Sequence, residues 1–412
     1  LKTNARLNDR WIAGLLGVLI LLVSNGAALT ILLQAFPLIK SSAVAESRKP
    51  AAPKKLETVA AQNDKNRVDE PAVLADVDLK QTVGTCIVVG VSGTKLDKKT
   101  AAALRNGEIG GVILMGANLT SDGQIRQLTA DIRAAASEGG KPTPLICIDQ
   151  EGGSVQRIKM GLPSAEEMAR TPDKVREYGA EVGKKLAELG INVNFAPVLD
   201  LTTPGSTVLA GRTFSADPAE TARLGGDFAV GLKEAGILAI GKHFPGHGLV
   251  KDDTHDKIAV SNAGKNELNR HLRAFKLAAP QLDGLMLSHI VYNGWDKEKP
   301  ASLSPVLSAL ATEMVPNGIT FTDAADMKAL QKFGTDAERA SLALGNGTNV
   351  FLTIKPLSTL GPNFTSRVAE QISARKFDAG KLRASAIAVS RIRGSLANSS
   401  DRTVPEETGP LR

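Results

Sequence analysis

Between Thr85 and Arg375 the sequence alternates a short apolar run with a longer amphipathic stretch, and it does so about eight times. The pairs are Thr85–Val91 with Lys98–Asn106, Gly111–Met115 with Asp122–Ser137, Pro144–Ile148 with Pro172–Leu189, and Asn192–Val198 with Pro218–Ala235. They continue as Leu238–Ile240 with Lys265–Ala279, Gly284–Leu287 with Pro305–Met314, Ile319–Thr322 with Ala337–Leu344, and Asn349–Thr353 with Thr365–Arg375. Runs this short and this apolar suit strands buried on both faces, and the amphipathic stretches suit helices laid over them. Repeated strand–helix units imply an α/β fold with a parallel sheet, and about eight of them imply a closed (β/α)8 barrel of the TIM type. An open doubly wound sheet is the competing architecture, but no Gly-x-Gly-x-x-Gly turn follows the first strand.

The barrel is expected over residues 81–396. Ahead of it, Lys2, Arg6 and Arg10 precede Trp11–Ile39, 29 residues without a charge, which is long enough to span a bilayer. Residues 1–40 therefore read as a membrane anchor or a signal segment, with Ala43-Val44-Ala45 offering a small-x-small cleavage pattern. Residues 41–80 are rich in Ala, Lys, Asp, Glu and Pro without an apolar period and read as a disordered linker, as does the polar tail 397–412. The expected location is extracytoplasmic, either membrane-anchored or secreted.

Charge points to no nucleic-acid partner. The net charge is +7, but the first 80 residues contribute 11 Lys/Arg against 8 Asp/Glu, so the remainder carries only +4, with few aromatic residues to stack bases. Cys86 and Cys147, the two cysteines, each sit in an apolar run and read as small buried hydrophobes.

Several expected strands end in polar or charged residues: Asp149, Asp200, Lys242-His243, Ser288-His289 and Thr322-Asp323. Burying such groups is costly unless they are paired or used, and the C-terminal ends of barrel strands are where barrel enzymes carry their chemistry. Residues 242–255 concentrate the signal, holding three of the five histidines of the chain. There Pro245, Gly246 and Gly248 force an irregular loop after the strand, and the loop carries Asp253 and His255. Two residues apart on extended chain, those side chains point the same way, so the carboxylate can orient the imidazole and raise its basicity.

These stretches resemble glycoside hydrolase family 3, in its single-domain β-N-acetylglucosaminidase branch. The resemblance rests on Asp149-Gln-Glu-Gly-Gly-x-Val-x-Arg157, Asn194-Phe-Ala-Pro-Val-Leu-Asp200, Lys242-His-Phe-Pro-Gly-His-Gly with Asp253-Thr-His255, Pro300-Ala-Ser-Leu-Ser-Pro305, and Thr322-Asp323 followed by Met327. It implies a retaining exo-β-N-acetylglucosaminidase that removes terminal N-acetylglucosamine from cell-wall glycans or muropeptides through a covalent glycosyl-enzyme. By position it makes Asp323 the nucleophile, His255 the general acid/base and Asp253 its partner. It makes Asp149, Arg157, Arg212, Lys242 and His243 the residues that hold the sugar. None of these roles calls for a cofactor or a metal. Two positions depart from the family pattern: Ser215 stands where glycine is usual, and Asn346-Gly-Thr-Asn349 where Ala-Gly-x-Asp is usual.

Three other readings compete. His243, His247, Asp253 and His255 could be taken for a metal site, but the i, i+4 histidines share a face only on a helix, and Pro245-Gly246 breaks one. A non-catalytic wall-binding protein is a second reading, although each reactive residue of the motif series is present. Transfer of the sugar to phosphate instead of water is a third, since an acid/base that is not an anion allows an anionic acceptor to approach.

Overall fold

The structure, a computed structural model, describes residues 78–250 and 258–400. The expected anchor or signal at 1–40, nearly all of the linker, the loop residues Asp253 and His255, and the chain beyond 400 lie outside the described residues. Among the described residues no helix is long and apolar enough to cross a membrane.

Eight strands form the centre: β1 (Ile87–Gly90), β2 (Gly111–Ile113), β3 (Leu145–Ile148), β4 (Val193–Asn194), β5 (Leu238–Phe244), β6 (Gly284–Leu287), β7 (Ile319–Thr322) and β8 (Phe351–Pro356). Their order across the sheet is β7-β6-β5-β4-β3-β2-β1-β8, with every neighbouring pair parallel. The two end strands meet at a parallel bridge between Phe321 and Val350. There the Val350 N–H donates to Thr320 O at 2.9 Å and the Thr322 N–H to Val350 O at 3.0 Å. The eight strands thus make a barrel closed by a narrow seam, and the open doubly wound alternative is excluded.

Seam formation explains one departure from the family pattern. The Asn349 Oδ1 accepts from the Thr320 N–H at 2.8 Å, its own N–H donates to Thr320 Oγ1 at 3.0 Å, and its Nδ2 donates to Ser385 Oγ at 3.0 Å. Asn349 is a buried joint between β7, β8 and the C-terminal helix, a task that needs both an acceptor and a donor on one side chain.

Helices α1 (Lys98–Asn106), α2 (Asp122–Glu138), α3 (Val175–Glu188), α4 (Pro218–Glu234), α5 (Lys265–Ala278), α6 (Pro305–Met314), α7 (Asp336–Gly345) and α8 (Phe364–Ala374) alternate with the strands. Their starts follow local chemistry. Asp97, Ser121, Asp217 and Ser304 accept N-terminal backbone N–H groups of α1, α2, α4 and α6, and Thr335 with Glu338 forms a capping box on α7. Pro218 and Pro305 occupy first-turn positions, where a missing N–H costs no helical bond. A helix at Leu79–Thr85 precedes β1, and a helix at Ala379–Ser400 follows α8, running past the end at 396 expected from the sequence.

Inside the barrel Phe195 and Phe321 pack edge to face with ring centroids 5.2 Å apart, and Met286, in register with Phe321, and Cys147, in register with Val193, are buried on the same face. Cys86 and Cys147 are free and buried, and burial pushes the Cys86 thiol up to about 12. Both behave as the small hydrophobes that their sequence context implies.

Candidate active site

The polar groups gather where β3 to β7 end. Past β3 the chain makes an antiparallel hairpin, Gln150–Gly152 against Val155–Gln156, in which Gln150 faces Gln156. Asp149 and Arg157 flank that pair, so the hairpin returns the Arg157 Nη2 to within 3.2 Å of the Asp149 Oδ2. Gly153 at the turn has φ +54°, and a Cβ there would lie 2.7 Å from the Ser164 Cβ, which accounts for glycine at that point. The Gln150 side chain fixes the hairpin base by donating to Ile158 O at 2.7 Å and accepting from the Ile158 N–H at 3.0 Å.

Asp149 and Glu151 are two residues apart on extended chain, and both reach the same lysine. The Lys242 Nζ lies 2.7 Å from the Asp149 Oδ1 and 2.7 Å from the Glu151 Oε1. Arg212 grips the other side of Glu151 with a bidentate pair, Nε to Oε2 and Nη2 to Oε1, both at 2.8 Å. Lys242 and Glu151 are buried. Burial would raise the Glu151 carboxyl, but Lys242 and Arg212 hold it down at about 2. Burial likewise opposes the charge of Lys242, and Asp149 and Glu151 more than offset it, so the ammonium is held above its ordinary range. Two carboxylates and three cations, Arg157 included, therefore form one interlocked charged cluster.

Ser215 does not disturb this cluster. Its carbonyl accepts from the Thr202 N–H and the Thr221 hydroxyl, both at 2.9 Å, and its hydroxyl accepts from the Asp217 N–H at 3.1 Å. Its φ is not positive, so the loop does not require glycine there.

The end of β5 carries a bulge. Lys242 pairs with Met286 and Phe244 with Leu287, which leaves His243 as the extra residue on its strand. A bulge re-aims side chains that would otherwise alternate, and it lets Lys242 and His243 serve the same end of the barrel. The next partner is Asp200, fully buried at the end of the segment after β4. Its Oδ2 accepts from the His243 N–H at 3.1 Å and pairs with the His243 Nδ1 at 2.6 Å, while its Oδ1 accepts from the His247 N–H. Burial opposes ionisation of Asp200, yet His243 and His247 keep its carboxyl below the usual range. An ionised Asp200 can only accept, so the His243 Nδ1 carries the proton and its Nε2 is left for the open side of the ring. The His247 ring stands edge-on to that of His243, 5.6 Å between centroids, and burial pushes its pKa down to about 4. Gly246 between them has φ +138°, and a Cβ there would lie 2.8 Å from the His271 Cβ.

Asp323 follows β7 and is half-buried. Its N–H donates to Leu287 O at 2.9 Å, and its Oδ1 accepts from the Ala324 N–H at 2.7 Å. Burial would raise this carboxyl, but the neighbouring His289 and His243, the Ala324 N–H and Lys242 together hold it below its ordinary value. His243 and Lys242 thus act electrostatically on the same carboxylate that ends β7.

Of the residues singled out in the sequence, Asp149, Arg157, Arg212 and Lys242 are brought into direct contact through Glu151 or one another, and His243 and Asp323 share their field. Asp253 and His255 lie outside the described residues. Sequence reasoning assigned no role to Glu151, Asp200, His247 or His289. The signal for Glu151 was present, because Asp149 and Glu151 alternate on one extended face. At the other end of the barrel, Leu272, Pro280, Leu310, Met314 and Pro316 line an apolar groove beside the starts of β6 and β7, away from this cluster.

A parallel eight-stranded barrel with a charged, hydrogen-bonded cluster at its C-terminal strand ends defines a TIM-type barrel enzyme. The Glycosyl hydrolase family 3 N terminal domain matches residues 76–392. The chain belongs to glycosyl hydrolase family 3 and is a glycoside hydrolase. It is 35% identical over 275 residues to a beta-hexosaminidase of Pseudomonas aeruginosa, covering 65% of this chain and 81% of that protein. Among solved structures, a glycoside hydrolase family 3 beta-N-acetylglucosaminidase from Paenibacillus sp. superposes with a TM-score of 0.74 at 28% identity. That match covers 81% of this chain and 65% of the Paenibacillus chain, so the present sequence spans under two thirds of that structure. NagZ from Neisseria gonorrhoeae, solved with N-trifluoroacetyl-D-glucosamine, superposes with a TM-score of 0.61 at 25% identity over 75% of this chain and 98% of NagZ.

Proposed function

We propose that this protein is a retaining exo-β-N-acetylglucosaminidase that releases terminal N-acetylglucosamine from cell-wall fragments, peptidoglycan-derived glycans or muropeptides among them. One observation carries the reading: Asp323, a carboxylate kept ionised at the end of β7, lies within the field of the same Lys242 and His243 that anchor a cluster of sugar-sized hydrogen-bonding groups. Relatives named for hexosaminidase and N-acetylglucosaminidase activity, and one solved with a glucosamine derivative, support the choice of sugar.

In this reading the Asp323 Oδ1 is occupied by the Ala324 N–H, and the Oδ2 attacks the anomeric carbon. The C–O bond to the leaving group breaks as a glycosyl ester forms on Asp323. His255, oriented by Asp253, gives its proton to the leaving oxygen and then takes one from the water that cleaves the ester. Asp149, Arg157, Arg212, Lys242 and His243 hold the sugar hydroxyls, with Arg157 also able to meet a carboxylate on an attached lactyl or peptide group. The uncharged run Trp11–Ile39 and the linker after it support an extracytoplasmic protein, anchored or secreted.

The test is a comparison of purified protein on aryl N-acetylglucosaminide and aryl glucoside. The proposal expects turnover of the first at least tenfold faster in kcat/KM; equal rates or a preference for glucoside would contradict it.

A further inference from the structure

The motif Pro300-Ala-Ser-Leu-Ser-Pro305 and the histidine after β6 take no part in the reaction just described. Ser304 has a local task, accepting the Leu307 N–H at 3.3 Å as the cap of α6. Ser302 does not cap anything. Its hydroxyl lies 2.7 Å from the His289 Nδ1, and the His289 Nε2 lies 3.0 Å from the carbonyl oxygen of Ala324, the residue after Asp323. Both Ser302 and His289 are buried.

The hydrogen-bond directions are fixed by chemistry. A carbonyl oxygen only accepts, so the Nε2 carries the hydrogen, and the Nδ1 lone pair then accepts from the Ser302 hydroxyl. Burial lowers the pKa of His289, in the direction that favours this neutral tautomer. The end of β6 consequently holds Asp323 from two sides. Leu287 O accepts the Asp323 N–H at 2.9 Å, and the His289 Nε2–H donates to the carbonyl oxygen of the next residue, Ala324. The N–H of that same residue, Ala324, binds the Asp323 Oδ1 at 2.7 Å. Rotation of Ala324 about its backbone would therefore change where the carboxylate points.

We infer that His289, held in one tautomer by Ser302, is a positioning residue that aims the Asp323 carboxylate through the Ala324 carbonyl. The inference rests on the reading of Asp323 as nucleophile. A side chain that only filled space could be replaced by any residue of similar volume. One that aims a nucleophile must present a donor to Ala324 O, and losing it should slow bond formation without weakening sugar binding, since a misplacement of about 1 Å can cost on the order of 10²-fold in rate.

The experiment measures three variants in the full chain: His289→Leu, His289→Gln, whose amide N–H can replace the Nε2–H, and Ser302→Ala, which keeps the ring and frees its tautomer. For each, kcat and KM on an aryl N-acetylglucosaminide, the Kd for N-acetylglucosamine and the rate of covalent labelling by a 2-fluoro glycoside are compared with wild type. We expect His289→Leu to lower kcat and the labelling rate together by roughly 10²-fold. We expect His289→Gln to stay within about tenfold of wild type and Ser302→Ala to fall between the two, while Kd for the sugar changes less than about threefold throughout. A folded His289→Leu with wild-type kcat, or a Gln variant as slow as the Leu variant, overturns the inference. If His289→Leu does not fold, wild-type kcat and labelling in Ser302→Ala overturn it instead. Failure of the underlying reading shows separately, as activity surviving in Asp323→Ala.

Discussion

Replacing Glu151 by glutamine keeps the shape of the side chain and removes the carboxylate that joins Lys242 to Arg212. The carboxyl of Glu151 is lowered from 4.5 to about 2 in the folded protein, and each unit corresponds to about 1.4 kcal/mol. The charge at Glu151 thus contributes roughly 3 kcal/mol to stability at neutral pH, which agrees with the roughly 3–5 kcal/mol lost when one partner of a buried ion pair is removed. The group is depressed on folding, so its contribution is complete above the unfolded value near 4.5 and disappears as pH falls through about 2. Urea unfolding of wild type and Glu151→Gln from pH 7 down to pH 3 measures this difference, with all other carboxylates common to both proteins. The gap should be about 3 kcal/mol at pH 7 and about half that at pH 3. A gap below about 1 kcal/mol at pH 7, or one that does not narrow on acidification, would refute the assignment of Glu151 as the ionised keystone of the cluster.

The remaining predictions concern the imidazoles. Asp200→Asn places an amide donor against backbone N–H groups and should cost about 1–3 kcal/mol in urea unfolding, with a raised KM from a His243 ring no longer held in one tautomer; unchanged stability and KM would show that Asp200 does not hold the ring. His255→Ala should slow cleavage of a disaccharide by on the order of 10²–10⁴-fold while slowing release of nitrophenol far less, because a nitrophenolate leaves without a proton. The same variant should show a nitrophenol burst and rescue by azide with a β-glycosyl azide as product; equal losses on both substrates with no rescue would make His255 a binding residue.

Much of the barrel could be read from the sequence because its strands are buried on both faces and so appear as short apolar runs. β6 and β7 start and stop at the expected residues, and α1 and α6 do so as well. The strand that mattered most was less legible. β5 continues from Leu238 through Lys242 and His243 to Phe244, and a lysine inside a buried strand is tolerated only because Asp149 and Glu151, supplied by another strand end, neutralise it. No local pattern announces a partner 93 residues away. The same holds for Asp200, which meets His243 and His247 from the neighbouring strand end, and for Ser302, whose partner is the ring of His289. Polar residue types at strand ends marked the site; which carboxylate meets which cation emerged only with the closure of the barrel.

The central claim is that Asp323 forms a covalent bond to the sugar. Incubating the protein with a slow 2-fluoro glycoside, followed by intact mass measurement and peptide mapping, tests it directly. The account predicts a mass increase of one glycosyl group, located on Asp323 and absent in Asp323→Ala, which should also have lost turnover of every substrate. A label on another residue, or turnover through an oxazoline formed by the substrate's own acetamido group with no protein adduct, would contradict it.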